Sequence, residues 1–395
     1  MIKKKICVVT GSRSEFGLMA NLLREINKSK KLKLFLLVTG MHLMDEFGNT
    51  YKEIKQGGFK IFKKIKLAES IFIKDYVSSS VGIGVVKFSK IFRKIKPDLV
   101  CIPCDRYEIL GPAISSYLSN IPIAHFYGGE VTKGSQDDIT RNSITKMSNF
   151  HFVTHSSHKK RVIQKGENPK RVFLVGNMVI DNILSTKLFS RENLKKKIKL
   201  DFTKKNILIT FHPITNVPSE TQKQFIEILK ALKNIKHVNF IFTKPNSDSG
   251  SDQIIKMIEN FVRKNPNNAR LFNSLGHKLY YSILKNVNCM IGNSSSGLSE
   301  APFLGLTIIN IGNRQEGRTQ AGNIINIPAK SIVIENKIRL VLKNKIKKRI
   351  SNSDYLKKGA TKKVVRILEK LNLKKMQIKN FFDLDYKNFS LHMIE

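Results

Sequence analysis

Cysteine is scarce in this chain, which carries only four among its 395 residues, too few for a disulfide scaffold. Long apolar runs are lacking as well: no stretch reaches the ~18 residues that a membrane-spanning helix needs. The apolar run behind the basic N-terminus is too short for a signal peptide. We therefore expect a cytoplasmic protein without a membrane partner. The length predicts two or more domains, and a hydrophobic content of 41% is enough for their cores.

Acidic residues are few: 30 Asp and Glu stand against 70 Lys and Arg, which gives a net charge of +40. Such an excess is typical of proteins that bind nucleic acid or an anionic membrane. Here, however, the basic residues are spread along the whole chain, and 55 of the 70 are lysines. Base recognition and bidentate phosphate binding favour arginine instead. We therefore expect no nucleic-acid partner, and interpret most of the charge as a lysine-rich surface that mildly attracts an anionic small molecule.

Short apolar runs alternate with amphipathic stretches in both halves of the chain. Predicted strands lie at residues 6–10, 34–38, 98–102, 121–125, 206–211, 238–243, 287–291 and 307–311. Predicted helices between them include residues 81–95, 107–118, 220–232 and 252–264. This alternation predicts the α/β class, with two Rossmann-like, doubly wound domains facing across a cleft. We expect them over residues 1–176 and 177–355, with a C-terminal helix and tail at 356–395; the lysine-rich stretch 343–349 is also predicted to be helical.

Polar side chains follow the predicted strands at the end where ligands bind in open parallel sheets. Arg13 follows the first strand, Asp105 follows a later one, and Glu130 comes soon after the strand at residues 121–125. His212 follows the first strand of the second half. One such residue is ordinary turn chemistry, but several strand ends with the same character indicate a ligand site in the cleft.

Asp137 stands at the head of a predicted helix, where an acidic residue is often only a helix cap. Together with Asp105 and Glu130, it would supply three carboxylates to one cleft, which suits proton transfer. Arg314 and Arg318 follow the strand at residues 307–311. They either bind an anionic ligand or are ordinary surface residues.

The segment at residues 292–297, Gly-Asn-Ser-Ser-Ser-Gly, lies between a predicted strand and a helix predicted to run towards residue 304. Its glycines and backbone N–H groups would suit phosphate, although a plain turn is an equal alternative. It lacks the Lys-Ser/Thr of a P-loop and the spacing of a dinucleotide fingerprint. Cys101 and Cys104 form a C-x-x-C, but no second cysteine pair completes a zinc site. The residues thus predict neither a metal nor a cofactor.

A series of motifs follows one order along the chain, over about residues 3–330. The motifs are Val9-Thr-Gly-Ser-Arg-Ser-Glu-Phe-Gly17, Val38-Thr-Gly-Met-His42, Asp105-Arg-Tyr-Glu108, Gly128-Gly-Glu130, Arg141-Asn-Ser-Ile-Thr-Lys-Met-Ser148, Gly292-Asn-Ser-Ser-Ser-Gly297 and Asn310-Ile-Gly-Asn-Arg-Gln-Glu-Gly-Arg318. Together they resemble the hydrolysing nucleoside-diphosphate-N-acetylhexosamine 2-epimerases of sialic-acid pathways, which are relatives of the non-hydrolysing UDP-N-acetylglucosamine 2-epimerases. The resemblance implies a GT-B fold with the active site between the domains. It also implies a C-terminal helix that crosses back to the first domain, and no nicotinamide or metal requirement.

The resemblance implies roles for individual residues. Asp105, Glu130 and Asp137 would carry the acid–base chemistry, with His212 as a fourth catalytic residue, and Arg13 would bind the substrate diphosphate. The second domain would hold the nucleotide through a larger set: His212, Gly292, Ser294, Ser295, Ser296, Glu300 and Arg314. The chain departs from the family pattern at Cys104, where glycine is usual, and at Phe126-Tyr127, where a histidine often precedes Gly-Gly-Glu.

The implied reaction removes the nucleoside diphosphate from C1 and the proton from C2, giving a 2-acetamidoglycal, and then adds water with inversion at C2. The products are free N-acetylmannosamine, or its 4-acetamido-6-deoxy analogue, and the nucleoside diphosphate. A GT-B glycosyltransferase that uses a nucleotide sugar and an acceptor is the alternative. The sequence leaves open UDP or GDP, the identity of the sugar, which carboxylate is the acid, and the oligomeric state, a homo-oligomer included.

Overall fold

The computed structural model of the chain describes residues 2–67, 75–133, 135–246, 248, 250–320, 322–343, 354–373 and 378–384. The lysine-rich stretch predicted at residues 343–349 lies outside these ranges except for its first residue, and so does the end of the predicted tail. Among the helices that the structure describes, none is both long enough and apolar enough to cross a membrane.

The first half of the chain forms a seven-stranded parallel sheet with helices on its faces. Its strands are β1 (Lys4–Thr10), β2 (Leu32–Thr39), β3 (Ile61–Ile65), β4 (Leu99–Pro103), β5 (Ile123–Phe126), β6 (Phe150–Val153) and β7 (Val172–Leu174). Its helices are α1 (Arg13–Lys28), α2 (Tyr51–Gln56), α3 (Tyr76–Ile95), α4 (Tyr107–Leu118), α5 (Asp137–Met147) and α6 (Ser156–Gln164). The strand order is β3-β2-β1-β4-β5-β6-β7.

The second half builds a six-stranded parallel sheet by the same alternation. Its elements are α7 (Met178–Ser185), α8 (Arg191–Ile198), β8 (Lys205–Thr210), α9 (Pro218–Lys233), β9 (Val238–Thr243), α10 (Ser251–Lys264), β10 (Ala269–Phe272), α11 (Gly276–Asn286), β11 (Cys289–Gly292), α12 (Ser296–Ser299), β12 (Thr307–Ile311), β13 (Ile324–Ile327) and α13 (Ser331–Leu342). The strand order is β10-β9-β8-β11-β12-β13. Two parallel-sheet α/β domains confirm the predicted fold class.

The sheets are doubly wound because their central strands are apolar on both faces. Residues 6–10 of β1 and all of β4 are buried, and helices cover both sides of each sheet. A further helix, α14 (Ala360–Lys370), follows the second domain and packs its apolar side against α1 in the core of the first. The Lys4 ammonium donates to the carbonyls of Leu368 and Leu371 at the end of α14. The domain limits at residues 176 and 355 stay a prediction.

One predicted helix is divided in the structure. The helix expected from the 292–297 segment to residue 304 is divided into α12 and a 3₁₀ turn at Ala301–Leu304. Pro302 has no N–H for an α-helical bond, and Gly305 ends the turn in the left-handed region at φ +72°.

Candidate active site

A cavity of about 170 Å³ lies between the domains, at the carboxyl ends of both sets of strands. All the predicted site residues except Gly292 line it: Arg13, Asp105, Glu130, Asp137, His212, Ser294, Ser295, Ser296, Glu300 and Arg314. Open parallel sheets bind ligands at the carboxyl ends of their strands. Residues from both domains meet in this cavity because both sheets present those ends to it.

Gly292 has a structural role instead. It ends β11 at φ +130°, and a Cβ built on it would lie 1.9 Å from the carbonyl oxygen of Thr210 on the neighbouring strand β8. Only glycine fits this close backbone approach. Gly292 is not among the residues that line the cavity, and its part in nucleotide binding stays a prediction.

Asp105 is oriented by Arg141, a buried residue of α5. The guanidinium donates from Nε to Asp105 Oδ2 at 2.8 Å, and from Nη1 to the carbonyl oxygen of Glu130 at 2.8 Å and to Asp138 Oδ1 at 2.9 Å. Its Nη2 donates to Thr132 and also to Asp105. Arg141 thus fixes the loop that follows β5 relative to Asp105.

Glu130 is paired with Arg318, which comes from the second domain. The Nη2 of Arg318 donates to Glu130 Oε2, and only 2% of the Glu130 side chain is exposed. Burial acts to raise the pKa of Glu130, but the charges of Arg318, His158 and Arg141 outweigh it and lower the pKa below its usual value. Glu130 is therefore an ionised carboxylate near neutral pH.

Asp137, at the start of α5, has the opposite environment. Burial raises its pKa to about 6, and the charges of Asp105 and Asp248 act in the same direction. Its closest cation is Arg314, at 3.9 Å between Nη2 and Oδ2. The cavity thus contains one carboxylate held ionised and another that can carry a proton near neutral pH.

His212 is neutral and its tautomer is set by its neighbours. The backbone N–H of Asn246 donates to Nδ1 of His212 at 3.1 Å, so the ring proton is on Nε2. Burial lowers the pKa of His212 to about 3. The Asn293 amide holds its backbone, with Oδ1 accepting from the N–H at 2.7 Å and Nδ2 donating to the carbonyl oxygen at 2.9 Å. The Nε2–H is therefore available as a donor to a ligand.

The remaining cavity wall offers cationic and hydroxyl donors. Among the described residues, Nη1 of Arg13 is buried without a hydrogen-bond partner, which suits an anionic ligand that completes it. Ser296 is hydrogen-bonded to the phenol of Tyr280. Burial raises the pKa of Glu300 to about 7, and the Tyr281 hydroxyl donates to its Oε1 at 3.3 Å.

Several residues in and beside the cavity had no role assigned to them from the sequence. Arg106 crosses the cleft, donating from Nη1 to Asp248 Oδ1 at 2.9 Å in a nearly buried ion pair. Asp248 lies in the loop that follows β9, and the strand-end rule could have pointed to that loop. Tyr355, which precedes α14, also lines the cavity, and no motif marks it. Among the described residues, no group of three His, Cys, Asp or Glu side chains could hold a metal ion.

Two α/β domains that face each other across a cleft lined by carboxylates, arginines and a neutral histidine place this protein among enzymes with a GT-B-like fold. More specifically, the chain belongs to the UDP-N-acetylglucosamine 2-epimerase family, whose model matches residues 24–369.

Three relatives and two solved structures illustrate the similarity. The GDP/UDP-N,N'-diacetylbacillosamine 2-epimerase (hydrolyzing) of Campylobacter jejuni is 43% identical over 82% of this chain and 85% of its own. Polysialic acid biosynthesis protein P7 of Escherichia coli is 34% identical over 96% and 98%. The UDP-N,N'-diacetylbacillosamine 2-epimerase (hydrolyzing) of Legionella pneumophila is 33% identical over 88% and 91%.

The solved structures support the fold. UDP-GlcNAc 2-epimerase from Neisseria meningitidis, bound to UDP-GlcNAc, superposes with a TM-score of 0.79 at 17% identity, covering 93% of this chain and 100% of that one. The Methanocaldococcus jannaschii enzyme in complex with UDP-GlcNAc and UDP gives a TM-score of 0.74 at 17% identity, covering 92% and 99%.

Proposed function

We propose that this protein is a hydrolysing nucleotide-sugar 2-epimerase, which converts a nucleoside-diphosphate 2-acetamido sugar and water into the free 2-epimer and the nucleoside diphosphate. The observation that carries the proposal is the pair of buried carboxylates, Glu130 and Asp137, whose surroundings drive their pKa values in opposite directions. Inversion at C2 by elimination and addition needs one group to take a proton and another to return one. A cytoplasmic location stays part of this proposal.

The first step separates the diphosphate from C1 of the sugar. Arg13, the Nε2–H of His212 and the serines that precede and begin α12 line the part of the cavity where the diphosphate would bind. These fixed donors stabilise the negative charge that develops on the leaving group, which is usually the largest electrostatic contribution to such a step.

The proton transfers follow from the ionisation of the carboxylates. Glu130 takes the proton from C2 as the bond from C1 to the diphosphate breaks, which leaves a 2-acetamidoglycal. Asp137, protonated in part near pH 6, returns a proton to the opposite face of C2 while the hydroxyl of water adds to C1. The other proton of that water restores Asp137, and Glu130 releases the C2 proton to solvent. Asp105 is held by Arg141 beside them and would orient the sugar or the water.

The substrate sugar that we propose is 2,4-diacetamido-2,4,6-trideoxyglucose, because two of the relatives are named for N,N'-diacetylbacillosamine. A panel of the UDP and GDP forms of this sugar, with UDP-N-acetylglucosamine as the matched comparison, tests the choice. Faster turnover of UDP-N-acetylglucosamine would show that the sugar assignment is wrong and would leave the reaction type unaffected.

Turnover in D₂O tests the reaction itself. Elimination and addition replace the C2 hydrogen from solvent, so the free sugar should carry deuterium at C2 with inverted configuration. In ¹⁸O-water the released nucleotide should stay unlabelled, because the bond between C1 and oxygen breaks. A product that retains its original C2 hydrogen would exclude the epimerase and favour a simple hydrolase or a glycosyltransferase.

A further inference from the structure

The loop at residues 312–320, between β12 and β13, reaches across the cleft and contacts the first domain. The backbone N–H of Lys133 donates to the carbonyl oxygen of Glu316 at 3.2 Å, and the two side chains form an exposed ion pair at 3.0 Å. Gly317 is so close to Val131 that a Cβ would lie 2.7 Å from Val131 Cγ1. This contact joins the two domains close to Glu130 in the sequence of the first.

Arg318 is the member of this loop that enters the cavity. It pairs with Glu130 although 188 positions separate the two residues, and its guanidinium also donates to Gln315 Oε1 at 3.3 Å. In the described part of the chain, the other carboxylate oxygen of Glu130, Oε1, is buried and has no hydrogen-bond partner. One oxygen of Glu130 is therefore occupied by Arg318, and the second remains available for a proton of the substrate.

The first domain does not supply this counter-ion. Arg141 reaches only the backbone oxygen of Glu130, and its other donors are used by Asp105, Asp138 and Thr132. Among the described residues, Arg318 is the cation hydrogen-bonded to the Glu130 carboxylate. The pairing therefore exists only where the loop of the second domain docks on the first.

The other groups around Glu130 do not replace Arg318. Burial lowers the pKa of His158 to about 4, and its Nε2 contacts Thr319 Oγ1 at 2.9 Å. The thiol of Cys104 and the phenols of Tyr127 and Tyr355 have pKa values raised by burial, so these groups are neutral. Without Arg318, Glu130 would lose the largest of the charges that lower its pKa, so burial would disfavour its ionised form.

We propose that Arg318 is a positioning residue that carries the counter-ion of Glu130 across the cleft, so that the base of the first domain is ionised and oriented only when the second domain closes on it. This inference rests on the proposed epimerase function and adds a dependence of the chemistry on domain closure. In this proposal Arg318 acts on the base Glu130, whereas Arg13 and His212 bind the diphosphate.

The test compares Arg318→Gln and Arg318→Lys with Lys133→Gln, which removes the exposed ion pair of the same loop. We expect Arg318→Gln to lower kcat by ~100-fold or more, the range for losing general-base catalysis, with KM changed by less than about fivefold. The acidic limb of the kcat profile should move up by about one pH unit or more, because Glu130 then ionises only at higher pH. Arg318→Lys should restore the position of that limb in part, and Lys133→Gln should match the wild type.

Three outcomes would overturn the inference. An unchanged acidic limb in Arg318→Gln, a loss confined to KM, or an equal loss in Lys133→Gln would each show that Arg318 does not act through Glu130. Thermal unfolding of the three variants checks that they are folded, and Arg318→Lys supplies the comparison if Arg318→Gln is unstable. The proposed function fails separately, if the wild type itself forms no C2-deuterated epimer in D₂O.

Discussion

Buried carboxylates dominate the site at the scale of the residue, and their neighbours decide what each can do. Glu130 and Asp137 are both buried, yet an arginine from the other domain lowers the pKa of the first, while burial and two nearby acids raise the pKa of the second. A difference of one pKa unit corresponds to about 1.4 kcal/mol between protonation states. The surroundings of the two carboxylates thus favour ionisation of Glu130 and protonation of Asp137, as the proposed roles of base and acid require.

Glu300 should make nucleotide binding depend on pH. Its pKa of about 7 means that the free protein holds it mostly protonated below pH 7 and ionised above. We expect an ionised Glu300 to accept hydrogen bonds from the ribose hydroxyls of the nucleotide. UDP affinity should therefore fall by about tenfold between pH 8 and pH 6, which calorimetric titration would measure. The terminal phosphate of UDP also titrates in this range and makes binding depend on pH by itself. Glu300→Gln is therefore the control, and an equal pH dependence in that variant would contradict the prediction.

Gly292→Ala should destabilise the protein strongly. The added methyl would meet the backbone of Thr210 at 1.9 Å in a conformation, φ +130°, that residues with a side chain rarely adopt. We expect a loss of about 3 kcal/mol or more, measured from urea unfolding. Gly305→Ala is the matched control, since Gly305 also has a positive φ but has nothing within 4 Å of its Cβ position, so it should cost about 1 kcal/mol. Equal stability of the two variants would refute the role given to Gly292.

At the scale of the element, a short C-terminal segment is tied to the helix that carries Asp137. Residues 378–384 lie beyond the family match, which ends at residue 369. The Lys379 ammonium donates to the carbonyl oxygen of Ser148, just past the end of α5, at 2.8 Å, and pairs with Glu167 Oε1 at 2.8 Å. The Phe382 N–H donates to the carbonyl oxygen of Gly166 at 2.9 Å. A cation at the C-terminus of α5 also interacts favourably with the helix dipole.

Lys379→Met should therefore lower the stability of the first domain. Glu167 and the carbonyl groups behind α5 would lose their donor, which we expect to cost about 1–3 kcal/mol. The thermal midpoint should fall by several degrees, whereas Lys362→Met, at an exposed lysine of α14, should change stability by less than about 0.5 kcal/mol. Truncation after residue 377 should resemble Lys379→Met, and truncation after residue 384 should not. Equal midpoints for the two lysine variants would show that this segment adds nothing to stability.

The elements themselves differ in how well the sequence predicts them. Central strands are apolar throughout, so β9 and β12 are found at the predicted residues and β8 is shifted by one. Five strands were not predicted: β3, β6, β7, β10 and β13. At two of the sheet edges, three of the five residues of β3 are exposed and β13 has a single buried residue. Neither strand shows the continuous apolar run on which the prediction depends.

The site was predictable where it depends on strand ends and not where it depends on domain closure. Asp105 and His212 follow strands directly, so the rule for parallel sheets places them in the cleft. The pairs Arg318–Glu130 and Arg106–Asp248 join residues 188 and 142 positions apart, on loops of different domains. No local pattern encodes such a contact, because it depends on the relative orientation of the two domains.

At the scale of the whole molecule, the cavity between the domains is smaller than typical ligand pockets. Its volume is about 170 Å³, whereas pockets that bind drug-sized ligands measure about 300–1,000 Å³. Ion pairs and hydrogen bonds join the domains around it, among them Arg106 with Asp248 and Lys133 with Glu316. The domains thus hold each other around the cavity, and we infer that they separate to admit the substrate and to release the products.

A disulfide across the cleft should therefore stop turnover. Residues 133 and 316 suit such a disulfide because the Lys133 N–H donates to the Glu316 carbonyl oxygen at 3.2 Å and their side chains form an ion pair at 3.0 Å. A disulfide needs a Cα separation of about 4.4–6.8 Å. The double variant Lys133→Cys/Glu316→Cys should keep its activity when reduced, because the ion pair it replaces is exposed. When oxidised it should lose at least tenfold in turnover, and a reductant should restore it.

Each single variant, treated with the same oxidant, controls for oxidation of the native thiols. Saturation with UDP before oxidation should trap the nucleotide, so that it dissociates only after reduction. Full activity of the oxidised double variant would show that substrate reaches the carboxylates without separation of the domains.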